Sequence, residues 1–134
     1  MKTLSVRSGV ILTALMLGAI FYSIAAAADW KYCCTNGLKD QYYLDRESVV
    51  YLEKGIVRVW RKIDCRESKD SKVDEFLEQI EYDCRQRMER TLYSKISYRE
   101  GGIGFLQESK WGPIEPDTIF ESFFKAVCKE GNKR

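Results

Sequence analysis

Five cysteines follow an apolar leader, and that pairing constrains the fold more than any other feature of the chain. Lys2 and Arg7 form a positive n-region, Val10 to Ile24 is an apolar run, and Ala25 to Ala28 supply the small residues a signal peptidase requires. Cleavage is expected after Ala28, which makes 1–28 a signal peptide and 29–134 a single domain. The competing reading is an uncleaved anchor, because the run is just long enough to span a bilayer. No lipobox cysteine stands at the cleavage site. Export places Cys33, Cys34, Cys65, Cys84 and Cys128 in an oxidising compartment, where disulfides are the default. A core of this size benefits from such staples. The odd number leaves at least one thiol free or joined to another chain.

Charge and composition then remove whole classes of function. Lys2 and Arg7 are the only charged residues before Asp29, so the 22 basic residues fall to 20, against 20 acidic ones. A mature chain of zero net charge is a poor fit to nucleic acid or to a generally basic membrane-binding surface. Histidine is absent, which excludes His-based acid–base chemistry, Cys-His nucleophiles and mixed Cys-His zinc sites. No P-loop, G-x-S-x-G or dinucleotide fingerprint occurs. Gly101 to Gly104 reads as a loop, since no helix follows it. No cofactor is expected.

Along the chain, short alternating runs separated by turn residues dominate. Trp30 to Thr35 is a first strand, with Trp30, Tyr32 and Cys34 on one face, ended by Asn36-Gly37. Gln41 to Asp45 is a second, Arg46 to Ser48 a bend, and Val49 to Glu53 a third. Lys54-Gly55 makes a tight connection to Ile56–Cys65, the clearest strand. There Val57, Val59, Ile63 and Cys65 share a side that Arg61 interrupts, while Arg58, Trp60 and Lys62 lie on the other. Arg66 to Lys72 is a polar loop. Val73 to Tyr98 is ambiguous: its apolar spacing and its helix-forming residues lean to helix, yet Phe76, Ile80, Tyr82 and Cys84 also align with a period of two, and Met88, Leu92, Ile96 and Tyr98 continue that parity. Gly101-Gly102 is a turn, Ile103 to Glu108 a last strand, and Trp111 to Pro116 an extended connection.

The C-terminal stretch is the one clear helix. Thr118 and Glu121 have the spacing of a capping box. Phe120, Phe124, Val127 and Cys128 form an apolar stripe that Ile119 and Phe123 widen, and Gly131 is the stop. Glu121, Ser122 and Lys125 are expected to face water.

Three blocks together resemble the surface-adhesin protein E family of exported bacterial proteins. They are Tyr42 to Val49; Glu81 to Cys84 followed by Arg90 to Tyr98 and a Gly-Gly turn; and Pro116 to Phe120 running on to Cys128. The resemblance implies an α+β fold: a twisted antiparallel sheet of about six strands, with one C-terminal helix packed on a face and tied by a disulfide. It implies strand, not helix, for Phe76–Cys84 and Arg87–Tyr98. It also implies that Cys84 pairs with Cys128, and both residues lie on apolar stripes. Cys33, Cys34 and Cys65 are additions that the family does not require.

The remaining residues yield expectations of function. Cys34 and Cys65 both point inward in the alternation, which gives a second disulfide and leaves Cys33 outward as a free or intermolecular thiol. The carboxylates Glu78, Glu81, Asp83 and Glu89 interleave with arginines, which reads as a solvated charged face. Trp60 and Trp111, with Tyr42, Tyr43, Tyr51 and Tyr93, are of the types that form a binding surface, but core packing accounts for most of them, and Trp60 is the one expected to be exposed. Arg58, Trp60 and Lys62 are the candidate binding surface, since arginine and aromatics concentrate at interface hot spots. The leading expectation is a non-catalytic exported module that contacts a protein partner at the envelope or cell surface. The alternatives are a thiol-redox or soft-metal protein using Cys33-Cys34, and an accessory subunit of an envelope assembly. An edge strand or the free sheet face also suits a homodimer. No nucleic acid, and no membrane span after signal cleavage, is expected.

Overall fold

The β-branched and aromatic alternation of Ile56–Asp64 makes this strand, β4, the axis of an antiparallel sheet. The computed structural model describes residues 27–131. The signal segment expected over 1–28 thus lies outside the described residues except for Ala27 and Ala28. The other strands are β1 (Trp30–Thr35), β2 (Gln41–Asp45), β3 (Val50–Tyr51), β5 (Val73–Asp83), β6 (Met88–Tyr98), β7 (Ile103–Leu106) and β8 (Gly112–Pro113). Their order is β1-β2-β4-β5-β6-β7, with β3 beside β4 and β8 beside β6. The sheet has eight strands, more than the expected six, and the two off that path, β3 and β8, are two-residue pairings. Val73 to Tyr98 is a pair of long strands rather than a helix, as the family resemblance implied. Lys54 and Gly55, both at positive φ, turn the chain into β4, and Gly101 and Gly102 at φ 93° and 97° turn it from β6 into β7.

Helix α1 (Ile119–Gly131) lies across one face of this sheet. Phe123, Phe124 and Val127 bury their side chains against Val57, Val59, Ile80 and Tyr82. Each such side chain contributes on the order of 1.5–3 kcal/mol. A 13-residue helix is marginal without that packing. Cys84 and Cys128 form the disulfide that ties the helix down, with Cα atoms 5.5 Å apart.

The capping box is formed: Thr118 Oγ1 accepts a hydrogen bond from the Glu121 amide at 3.3 Å, and Glu121 reaches back to accept one from the Asp117 amide at 3.0 Å. That reach buries Glu121, contrary to the expectation that it faces water. Arg87 of the β5–β6 turn and Lys125 close over it at 2.7 and 3.2 Å. Phe120, by contrast, stays exposed at the helix margin.

Besides a register shift at Asp74, between the pairs Val73–Tyr98 and Glu75–Ser97, two bulges break the simple alternation. One falls at Cys33: Tyr32 pairs with Tyr43, but Cys34 pairs with Tyr42. The other falls at Leu92, between the pairs Gln79–Tyr93 and Ile80–Thr91. The first moves Cys34 off the face of Trp30 and Tyr32. The second separates Met88 from the face of Ile96.

Candidate binding surface

The pair-by-pair register sorts the functional side chains onto two faces. On the helix side the ladder partners are Leu44, Arg61, Glu78 and Ser94. On the opposite side one row runs across six strands: Tyr32, Tyr43, Lys62, Leu77, Lys95 and Phe105. The next rows carry Trp60, Gln79 and Tyr93, and then Arg58, Glu81 and Arg90.

The expected surface residues Arg58, Trp60 and Lys62 do share this helix-free face. Each is already engaged. Lys62 Nζ sits 4.6 Å from the Trp30 ring centre and 5.0 Å from that of Tyr43. Such cation–π contacts contribute about 0.5–1 kcal/mol at exposed sites. Trp60 meets Tyr93 edge-on at 5.5 Å, and Tyr93 meets Phe105 at 5.9 Å. Arg58 Nη2 lies 2.6 Å from Glu81 Oε1, and Arg90 binds the other oxygen of Glu81 at 2.7 Å while covering the Trp111 ring. Burial opposes ionisation of Glu81, but its two arginines hold its pKa below the usual carboxylate range. The face is therefore a preordered platform of rings and paired charges. Lys62 and Lys95 are the cations on it that lack a carboxylate within ion-pair distance among the described residues.

Several sequence expectations fail here, each for a physical reason. Of the five aromatics expected mostly in the core, Tyr42 is buried there, against Phe123. Tyr43 and Tyr93 lie on the helix-free face, Trp111 is stacked on Arg90, and Tyr51 is exposed on β3. The carboxylates are not a solvated face. Glu81 is covered by two arginines, and Glu78 lies beneath the helix with Arg61. Asp83 accepts hydrogen bonds from the Arg85 and Gln86 amides and so shapes the β5–β6 turn. Arg61, whose charge interrupted an apolar side, is the signal that pointed to this buried cluster. Its guanidinium lies 5.2 Å from the ring centres of both Phe120 and Phe123.

The second disulfide is not formed. Cys33, Cys34 and Cys65 are free thiols. Cys34 sits opposite Tyr42, which sits opposite Ile63, so β2 separates Cys34 from the strand that leads to Cys65. Two strand spacings are about 10 Å, beyond the Cα separation a disulfide tolerates. Nor does Cys33 point outward. The bulge leaves it half-buried beside Cys34, lining a cleft of ≈ 400 Å³ between β1 and α1. Burial, and then Cys34, push its thiol up to about 12. Burial and Asp40 do the same to Cys65. Reactive thiols need the opposite shift. Among the described residues no group of three or more acidic or cysteine side chains is placed to hold a metal, and no helix is long and apolar enough to cross a membrane.

A family model described as surface-adhesin protein E matches residues 30–129. Among solved structures, crystal form II of Haemophilus influenzae protein E aligns with a TM-score of 0.57 at 15% sequence identity. The alignment covers 82% of this chain and 98% of that one, and at this identity it speaks to the fold. No curated protein sequence matches the chain.

Proposed function

The chain belongs to the surface-adhesin protein E family, and from that premise we propose that it is an exported, non-catalytic binding module. It leaves the cell interior through a signal peptide cleaved after Ala28, and it contacts a protein partner at the envelope or cell surface. One observation carries this reading. The helix occupies one sheet face, and the other face presents Trp60, Tyr93, Tyr32, Tyr43 and Phe105 around Lys62 and Lys95. Partly exposed aromatics held by neighbouring rings lose little conformational entropy on binding and resemble interface hot spots in composition.

The test is site-directed photo-cross-linking in the native bacterium, with the cross-linker at Trp60 and, as a control, at Ser122, which is exposed on the helix at the other side of the sheet. A discrete adduct from position 60 that is absent from position 122 is expected. Adducts from position 122 alone would overturn the assignment of the face.

The thiol-redox or soft-metal reading keeps one observation in its favour, the three unbonded cysteines. The raised Cys33 thiol argues against it. Mass spectrometry of the exported protein separates the two readings: bound metal, or a Cys33–Cys34 disulfide that turns over with a thiol reductant, would favour the redox alternative.

A further inference from the structure

We propose that the β7 edge of the sheet accepts an extended strand from the partner protein, apolar at its centre and basic at both ends. The inference rests on the reading that this chain binds a protein. The sheet has two lateral edges, and they are built differently. The β1 edge is broken by the Cys33 bulge and carries Lys31, both of which discourage pairing. β7 has neither device. Its register with β6 is regular from Ile103 to Leu106, and it contains no proline or charged residue.

Its outward hydrogen-bonding groups can be assigned from the ladder. The Tyr98 amide donates to the Gly102 carbonyl, and alternate residues repeat that direction. Gly104 and Leu106 therefore bond inward to β6. The amides and carbonyls of Ile103 and Phe105 point away from the sheet, and their side chains lie on the helix-free face at 59% and 64% exposure. An added strand gains main-chain hydrogen bonds at Ile103 and Phe105 and lays alternate side chains beside these two.

Charge selects the occupant. Two exposed carboxylates flank the edge, Glu100 in the β6–β7 turn at one end and Glu108, which lies 3.3 Å from Arg90, at the other. A second copy of this chain would add about a two-fold axis, with the strands antiparallel. The register that joins Ile103 of one copy to Phe105 of the other brings the turn that carries Glu100 toward the end that carries Glu108, at both ends. Like charges so placed oppose self-pairing. A partner strand with lysine or arginine at those positions meets a carboxylate at each end instead.

The probe is a synthetic peptide as long as the span from Glu100 to Glu108, with alternating valine and threonine between terminal lysines, added to the exported protein. Amide exchange is followed residue by residue by NMR. The Ile103 and Phe105 amides should exchange freely alone and slow by about tenfold with saturating peptide. The same peptide with terminal glutamates should leave them fast. Phe105→Pro, which removes an outward donor, should abolish the effect. Because that variant can fail to fold, the double variant Glu100→Lys/Glu108→Lys is made in parallel and should invert the preference toward the glutamate-ended peptide. Unchanged exchange at Ile103 and Phe105, or protection confined to other strands, overturns the proposal. So does protection without peptide that grows with protein concentration, which assigns the edge to a second copy. The assay needs no native partner, so it can fail while face-specific cross-links at Trp60 persist, and the reverse also holds.

Discussion

Arg61 of β4 and Glu78 of β5 form a buried ion pair beneath the helix, with Arg61 Nη2 and Nε 2.7 and 2.9 Å from one carboxylate oxygen. The guanidinium also donates to the Tyr82 hydroxyl at 3.3 Å and lies 3.5 Å from Glu89. Burial works against its charge, and Tyr82, Glu78 and Glu89 together more than offset that penalty. Phe120 and Phe123 roof the cluster. The helix thus covers a paired charge as well as an apolar core, which ties its placement to one position along β4.

Removing one partner of this pair is expected to be costly. Arg61→Met leaves Glu78 buried without its cation and should destabilise the domain by about 3–5 kcal/mol. The double variant Arg61→Met/Glu78→Leu should recover most of that loss. Urea midpoints at constant m-value measure both. A single variant as stable as the wild type would show that the pair carries no net weight.

Glu89 should make stability fall as pH rises. Burial raises its carboxyl pKa, and Arg61 only partly opposes this. A carboxyl with a folded pKa above its unfolded value favours the folded state most when protonated. That contribution is present below the ordinary carboxylate range and is lost as pH climbs through it to the raised value. Glu89→Gln removes the titration, so the wild-type-minus-variant stability difference should shrink steadily with pH over that window. A difference that grows with pH would reverse the assignment.

The opposite slope belongs to Glu121. Arg87, the Asp117 amide and Lys125 hold its pKa down at about 2. Its contribution is full above about 4.5 and is lost as pH falls toward about 2. Glu121→Gln should therefore lower the melting temperature at neutral pH and match the wild type near the acid end. A constant offset across the range would mean the side chain acts through packing alone.

Much of this architecture was legible because alternation and turn residues act locally. Ile56–Asp64, the Gly101-Gly102 turn and the Thr118–Glu121 cap need no distant partner to be recognised. Val73–Tyr98 did not yield to periodicity, since Glu, Gln, Arg and Met favour helix in isolation and only cross-strand pairing overrides them. The bulges at Cys33 and Leu92 have no glycine or proline to announce them, so face assignments past them fail. The same limit produced the expected Cys34–Cys65 bond: parity aligned the two thiols, while the strand order set β2 between them. On the helix-free face, Arg58, Trp60 and Lys62 were readable from one strand. Their ring partners Tyr43 and Tyr93 lie on other strands, and only the register brings them in.

Cys84–Cys128 closes a loop with a sequence separation of 44 residues. On the chain-entropy account such a crosslink stabilises by roughly 4 kcal/mol, chiefly by restricting the unfolded chain. Cys128→Ala should lose about that much in urea, and the wild type treated with reductant should fall to the same level. Alkylation checks the bonding. In denaturant without reductant, three cysteines per chain should react, and with reductant all five. In the native protein at neutral pH, Cys33 and Cys65 should react slowly, because burial holds both thiols near 12. Alkylation of one cysteine in the denatured, unreduced protein would mean a second bond forms. Wild-type stability in Cys128→Ala would show that packing alone holds the helix on the sheet.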